Sequence, residues 1–123
     1  MDVRFINSFI EATTDVLTTM AGIAPQVGKP FLKKNDIANG DVSGIIGLTG
    51  EASGSMALSF SEKAIVLIVS NMLGEEISEI NSDIKDAVGE ITNMISGAAR
   101  KKIESMGLNI TAAIPTVVAG KNH

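Results

Sequence analysis

The 123-residue chain contains no cysteine, no tryptophan and no tyrosine, and its single histidine, His123, is the last residue. Each absence removes a class of chemistry. Without thiols there are no disulfides, no thiolate metal sites and no cysteine nucleophile. With one terminal histidine there is no histidine-based metal cluster and no Ser-His-Asp triad. Aromatic residues make up only 3%, so the core has to be built from Ile, Val, Leu, Met and Ala, and the stacking platforms of a nucleic-acid binder are lacking. Basic residues do not compensate. The longest basic cluster is Arg100-Lys101-Lys102 and the formal net charge is -4, which is not the footprint of nucleic-acid binding. No apolar run is long enough to span a bilayer, and Asp2 stands where a signal peptide carries positive charge. The expectation is a cytoplasmic protein that engages neither nucleic acid nor membrane and has no metal site of its own.

What is present points to a globular chain. Hydrophobic residues make up 45% and charged residues 20%, and the length suits one domain over residues 1–123 that buries a core without staples. Phe5, Phe9, Ala12, Val16 and Met20 recur at helical spacing and predict a helix from Arg4 to Met20, stopped at Ala21-Gly22. Pro25 to Lys34 reads as extended, with Pro30 marking an edge or an interruption. Asp41–Thr49 and Gly54–Phe60 are strand candidates joined by Gly50-Glu51-Ala52-Ser53, a hairpin connection. Ser61 caps a helix that ends at Gly74, and a polar loop follows from Glu75 to Asn81. The longest helix runs from Ser82 to Met106, with Asn81 or Ser82 as cap and Gly107 as stop. Leu108 to Val118, rich in β-branched residues, predicts a strand. The chain closes on a turn, Gly120-Lys121-Asn122-His123, with no returning strand; the expectation is that C-terminal strand residues are missing.

Two segments resemble each other. Glu11-Ala12-Thr13-Thr14-Asp15-Val16 parallels Glu90-Ile91-Thr92-Asn93-Met94-Ile95, and Ala21–Val27 parallels Thr111–Val117, each later segment holding a proline. A duplicated helix-strand unit in a pseudo-symmetric domain explains the match; chance likeness of two amphipathic helices explains it too.

On the long helix, at roughly 100° per residue, Asp86 at zero puts Glu90 near 40°, Asn93 near -20° and Gly97 near 20°. Ile84, Val88, Ile91, Ile95, Ala98 and Met106 take the other side, which is the core face. The polar stripe must look outward. Gly97 costs about 1 kcal/mol relative to Ala in a helix interior, and one reason to keep it is an unobstructed approach for a partner. Geometry alone favours a plain solvated face. The stripe holds no nucleophile with a base and too few ligands for a metal. It offers a rigid carboxylate and a rigid carboxamide one turn apart.

The pattern Asp86-xxx-Glu90-xx-Asn93, followed by Pro115, resembles the helical motif of the CheC/CheX/FliY chemotaxis phosphatases. The stretches Gly44–Gly50, Ser59–Ala64 and Met72-Leu73-Gly74 look like the same family, so the likeness covers essentially the whole chain. The first-half counterpart reads Asn7-xxx-Glu11-xx-Thr14, with Thr14 where the carboxamide belongs. One intact site and one degenerate site, Glu11 and Thr14, resemble the CheX type. The resemblance implies an α/β (α+β) fold, a β-sheet packed against long helices, and a homodimer. It implies a phosphatase acting on the aspartyl phosphate of a CheY-like receiver domain in chemotaxis or related two-component signalling. Catalysis would rest on Asn93 and Glu90, partner contact on Asp86 and Gly97, and strand shape on Pro115. The chain binds no cofactor in this reading; Mg²⁺ comes with the receiver. A receiver-docking scaffold of the flagellar-switch type, without catalysis, is the competing reading.

Overall fold

The protein, a computed structural model, is described over residues 3–22, 41–50 and 53–120. These form α1 (Val3–Ala21), β1 (Val42–Gly50), β2 (Gly54–Phe60), α2 (Glu62–Leu73), α3 (Ser82–Glu104), β3 (Ile110–Ala112) and β4 (Thr116–Ala119). The boundaries follow local chemistry. At the start of α2 the Ala64 N–H donates to Ser61 Oγ at 3.2 Å, and at the start of α3 the Ile84 N–H donates to Asn81 Oδ1 at 2.9 Å. Each satisfies a donor that the first turn leaves without a helical partner. Gly74 ends α2 at φ 67, a left-handed cap whose N–H donates to the Ser70 carbonyl. The expected extended stretch from Pro25 to Lys34 lies outside the described residues, as do Glu51, Ala52 and the terminal His123.

α3 leaves the helical path two residues before the expected Met106, in a turn through Gly107. Met106 is 42% exposed, which corrects its assignment to the core face: outside the helix the 3.6-residue period no longer aims it inward. Met20, at the end of α1, is likewise 40% exposed, while Leu17 and Ala21 are buried in its stead.

In the sheet, β1 pairs antiparallel with β2 on one side and with β3 and β4 on the other. The expected single strand from Leu108 to Val118 is therefore two, and the register shows why. Leu48 opposes Ala112 and Ile45 opposes Thr116, so Ile46 and Gly47 face three residues, Ala113, Ile114 and Pro115. This is a bulge with one residue more than its partner. Pro115 has no N–H to give to a ladder, whereas the Ala113 N–H still reaches the Gly47 carbonyl at 3.0 Å. The extra residue reverses the alternation: Ile110 is buried before the bulge, Val117 packs inward after it, and Ile114 between them is 90% exposed.

α3 lies against β1, β3 and β4; α1 packs along α3, and α2 touches both helices. The core is aliphatic, as the composition requires. Ala12, Val16 and Leu17 from α1 and Ile65, Ile68 and Val69 from α2 meet Ile84, Val88, Ile91, Ile95 and Ala99 from α3. Phe5, Ile103 and Ile110 form a second cluster at the far end. Where α3 crosses β1 the approach is close. A Cβ on Gly44 would collide with Thr92 Oγ1 and stand 3.3 Å from Val88 Cγ1, so only glycine fits. Thr92 is fully buried, and its hydroxyl donates to the Val88 carbonyl at 2.7 Å. The result is an α+β arrangement of long helices on an antiparallel sheet, as expected.

Candidate functional site

α3 presents the stripe as its spacing requires. Ile84, Val88, Ile91 and Ile95 are completely buried, and Asp86, Glu90 and Asn93, on the opposite side, are exposed. Burying each aliphatic side chain is worth about 1.5–3 kcal/mol, so the face that points outward is set by the face that is paid for inward. Gly97 continues the stripe and is half-buried. A Cβ there would meet only the Arg100 guanidinium, at 4.0 Å. Nothing else among the described residues excludes a side chain at Gly97.

Pro115 lies in the bulge of the strand that borders this helix; beyond it, Val117 stands 3.5 Å from where a Cβ on Gly89 would be. The bulge thus sits beside α3 without contributing a reactive group. The structure brings Asp86, Glu90, Asn93 and Gly97 together on one helix face and leaves Pro115 on the neighbouring strand.

The first-half counterpart is arranged differently. Glu11 and Asp15 both lie 3.5 Å from Lys102 Nζ of α3, and Thr14 Oγ1 donates to the Ile10 carbonyl at 3.1 Å. The carboxylate of this copy is engaged by a lysine, and the hydroxyl that stands in for the carboxamide is turned onto its own helix. By contrast, Asp86, Glu90 and Asn93 make no side-chain hydrogen bond or ion pair among the described residues.

A cleft of about 310 Å³ is lined by Asp41, Glu62, Ile80, Ala119 and Gly120, none of which belongs to the stripe. Among the described residues no three His, Cys, Asp or Glu side chains converge as a metal-binding group. An exposed helix face with a neutral amide between a carboxylate and a glycine suits insertion into a concave site on another macromolecule better than capture of a small molecule. Two features escaped the sequence reading. Thr92 and Ser96 are buried although polar, and Arg100 extends the stripe by the same three-residue step that separates Glu90 from Asn93; the continued spacing was the available signal.

Residues 42–123 match the family described as chemotaxis phosphatase CheX. Over 123 residues the chain is 32% identical to the CheY-P phosphatase CheX of Thermotoga maritima, a match covering 99% of this chain and 79% of that protein. The fold superimposes with a TM-score of 0.94 on a CheC-like superfamily protein from Shewanella sp. PV-4, 44% identical, over 100% of this chain and 80% of the other. With CheX from Desulfovibrio desulfuricans the TM-score is 0.88 at 47% identity, over 97% and 79% of the two chains. A motif on an exposed helix face, a matching fold and this level of identity agree: the chain belongs to the CheX family of chemotaxis phosphatases.

Proposed function

We propose that this chain is a phosphatase that accelerates hydrolysis of the aspartyl phosphate on a CheY-like response regulator. The observation that carries the reading is the exposed Glu90–Asn93 pair, held on a helix whose other side is locked into the core, in a chain 32% identical to a CheY-P phosphatase.

In the reaction a water oxygen bonds to phosphorus as the bond to the aspartyl oxygen breaks, giving inorganic phosphate and a free carboxylate. Positioning and electrostatics dominate such transfers. Asn93 orients the attacking water through its carboxamide. It offers a donor and an acceptor and carries no charge, whereas a carboxylate there would repel the phosphoryl oxygens. Glu90 pairs with a receiver lysine and sets the helix in register by a charge-assisted contact. Asp86 supports that contact, Gly97 leaves room for the partner, and Pro115 shapes the adjacent strand. Mg²⁺ belongs to the receiver. The reading includes a homodimer and a cytoplasmic setting; no helix among the described residues is long and apolar enough to cross a membrane.

Phosphate release from a phosphorylated, Mg²⁺-loaded receiver, measured with and without the protein, tests this. Acceleration is expected, and Asn93→Ala should lower it about a hundredfold or more, the scale of a misplaced reacting group, while receiver binding persists. Near-wild-type turnover by Asn93→Ala would refute the mechanism. Binding without any acceleration by the unmodified chain would identify a docking scaffold instead.

A further inference from the structure

Arg100 is the next member of the stripe. Counted from Asp86 at roughly 100° per residue it falls near -40°, beside Asn93 and Gly97. Long helical side chains lean toward the N-terminus, and this one does: its terminal nitrogen lies 4.0 Å from the position a Gly97 Cβ would take. The guanidinium is laid back over Gly97. Among the described residues it forms no ion pair with Glu104, and an arginine four residues before a glutamate is the weaker order for a helical ion pair. Its Nε is buried and has no hydrogen-bond partner among the described residues. Lys102, two residues on, is instead engaged by Glu11 and Asp15, and Lys101 is exposed on the flank.

A guanidinium whose Nε is desolvated and unbonded among the described residues is an incomplete contact, because burying an unsatisfied donor is costly. Gly97 provides the floor on which it lies, which gives that residue a reason specific to this chain. Glu90 and Arg100 are ten positions apart, about 15 Å along the axis. They place opposite charges at either side of Asn93 on one rigid face.

We propose that Arg100 is a positioning and specificity-determining residue that pairs with a carboxylate on the receiver surface. With Glu90 it fixes the direction in which the stripe docks. This rests on the phosphatase reading for the identity of the partner. The partner must then present a base toward Glu90 and an acid toward Arg100; a receiver with that order reversed meets like charges at both ends and is rejected.

The test measures affinity for a receiver domain activated with beryllofluoride and Mg²⁺, alongside steady-state phosphate release, for the full chain and for Arg100→Gln. The expected result is a rise of about tenfold in both Kd and KM with kcat within about twofold, the pattern of a lost interfacial charge pair. The salt dependence of Kd should become shallower. Arg100→Lys should restore the salt dependence but only part of the affinity, since lysine lacks the planar fork. Arg100→Met, which keeps the aliphatic stem and removes the charge, should resemble Arg100→Gln and covers the case in which that variant fails to fold. Unchanged Kd and salt dependence in a folded Arg100→Gln, with the full chain active, would overturn the inference alone. A weakened Kd without acceleration by the full chain would uphold the docking role and overturn the phosphatase reading. No binding by the full chain would overturn both.

Discussion

Thr92 and Gly44 show how much one missing side chain decides. The β1 backbone and α3 approach so closely at this point that a methyl group on Gly44 would collide with Thr92 Oγ1. Gly44→Ala should therefore destabilise the fold by about 1–3 kcal/mol, the usual cost of overpacking, measured by denaturant unfolding. Adding Thr92→Ala should return part of the loss, because the first obstacle is then gone while Thr92 Cβ, at 3.1 Å, remains. Equal stability of Gly44→Ala and the unmodified chain would show that no close approach exists. At this scale Asp86, Glu90 and Asn93 were legible in the sequence, because spacing alone fixes a helix face. Thr92 and Ser96 were not. A polar residue on a helix reads as solvent-facing unless the glycine that makes room for it, on a strand far earlier in the chain, is already known to lie opposite.

Among the elements, α3 carries the proposed site and includes a residue that weakens the helix. Gly97→Ala should stabilise the helix by about 1 kcal/mol, visible as a higher melting temperature, because a Cβ meets only the Arg100 guanidinium at van der Waals distance. The same change should raise the KM for the phosphorylated receiver. A more stable variant with unchanged KM would mean that Gly97 does not serve the partner. Helix starts were readable because caps are local: Ser61 and Asn81 bond to backbone within three residues. The break between β3 and β4 was not readable in the same way. Pro115 is compatible with an edge strand, an interruption or a bulge. Only the pairing of Ala112 and Thr116 with Leu48 and Ile45 reveals the added residue and the exposure of Ile114.

For the molecule as a whole, the family match begins at residue 42, yet the core does not. Ala12, Val16, Leu17 and Ala21 of α1 pack with Ile91, Ile95 and Ala99 of α3. A chain limited to residues 42–123 should lose cooperative thermal unfolding by circular dichroism and bind a hydrophobic dye; a sharp transition would show that α1 is dispensable. The sheet-and-helix class was legible from the alternation of Ser55, Ala57 and Ser59 with Met56, Leu58 and Phe60 in β2 and from the periodicity of the helices. The way α1 lies on α3 was not, because that contact joins residues the local pattern treats separately. The closeness of Thr92 to Gly44 has one more consequence. Thr92 acts as a key in a slot cut into the sheet, so α3 cannot roll about its own axis without striking the slot wall. Asn93 is the next residue along the shaft. A roll of about 20° would swing its amide by about 2 Å at the radius of a helix side chain, enough to forfeit most of the water-orienting effect proposed for it. The aim of an exposed amide is thus set by a hydroxyl that no solvent reaches.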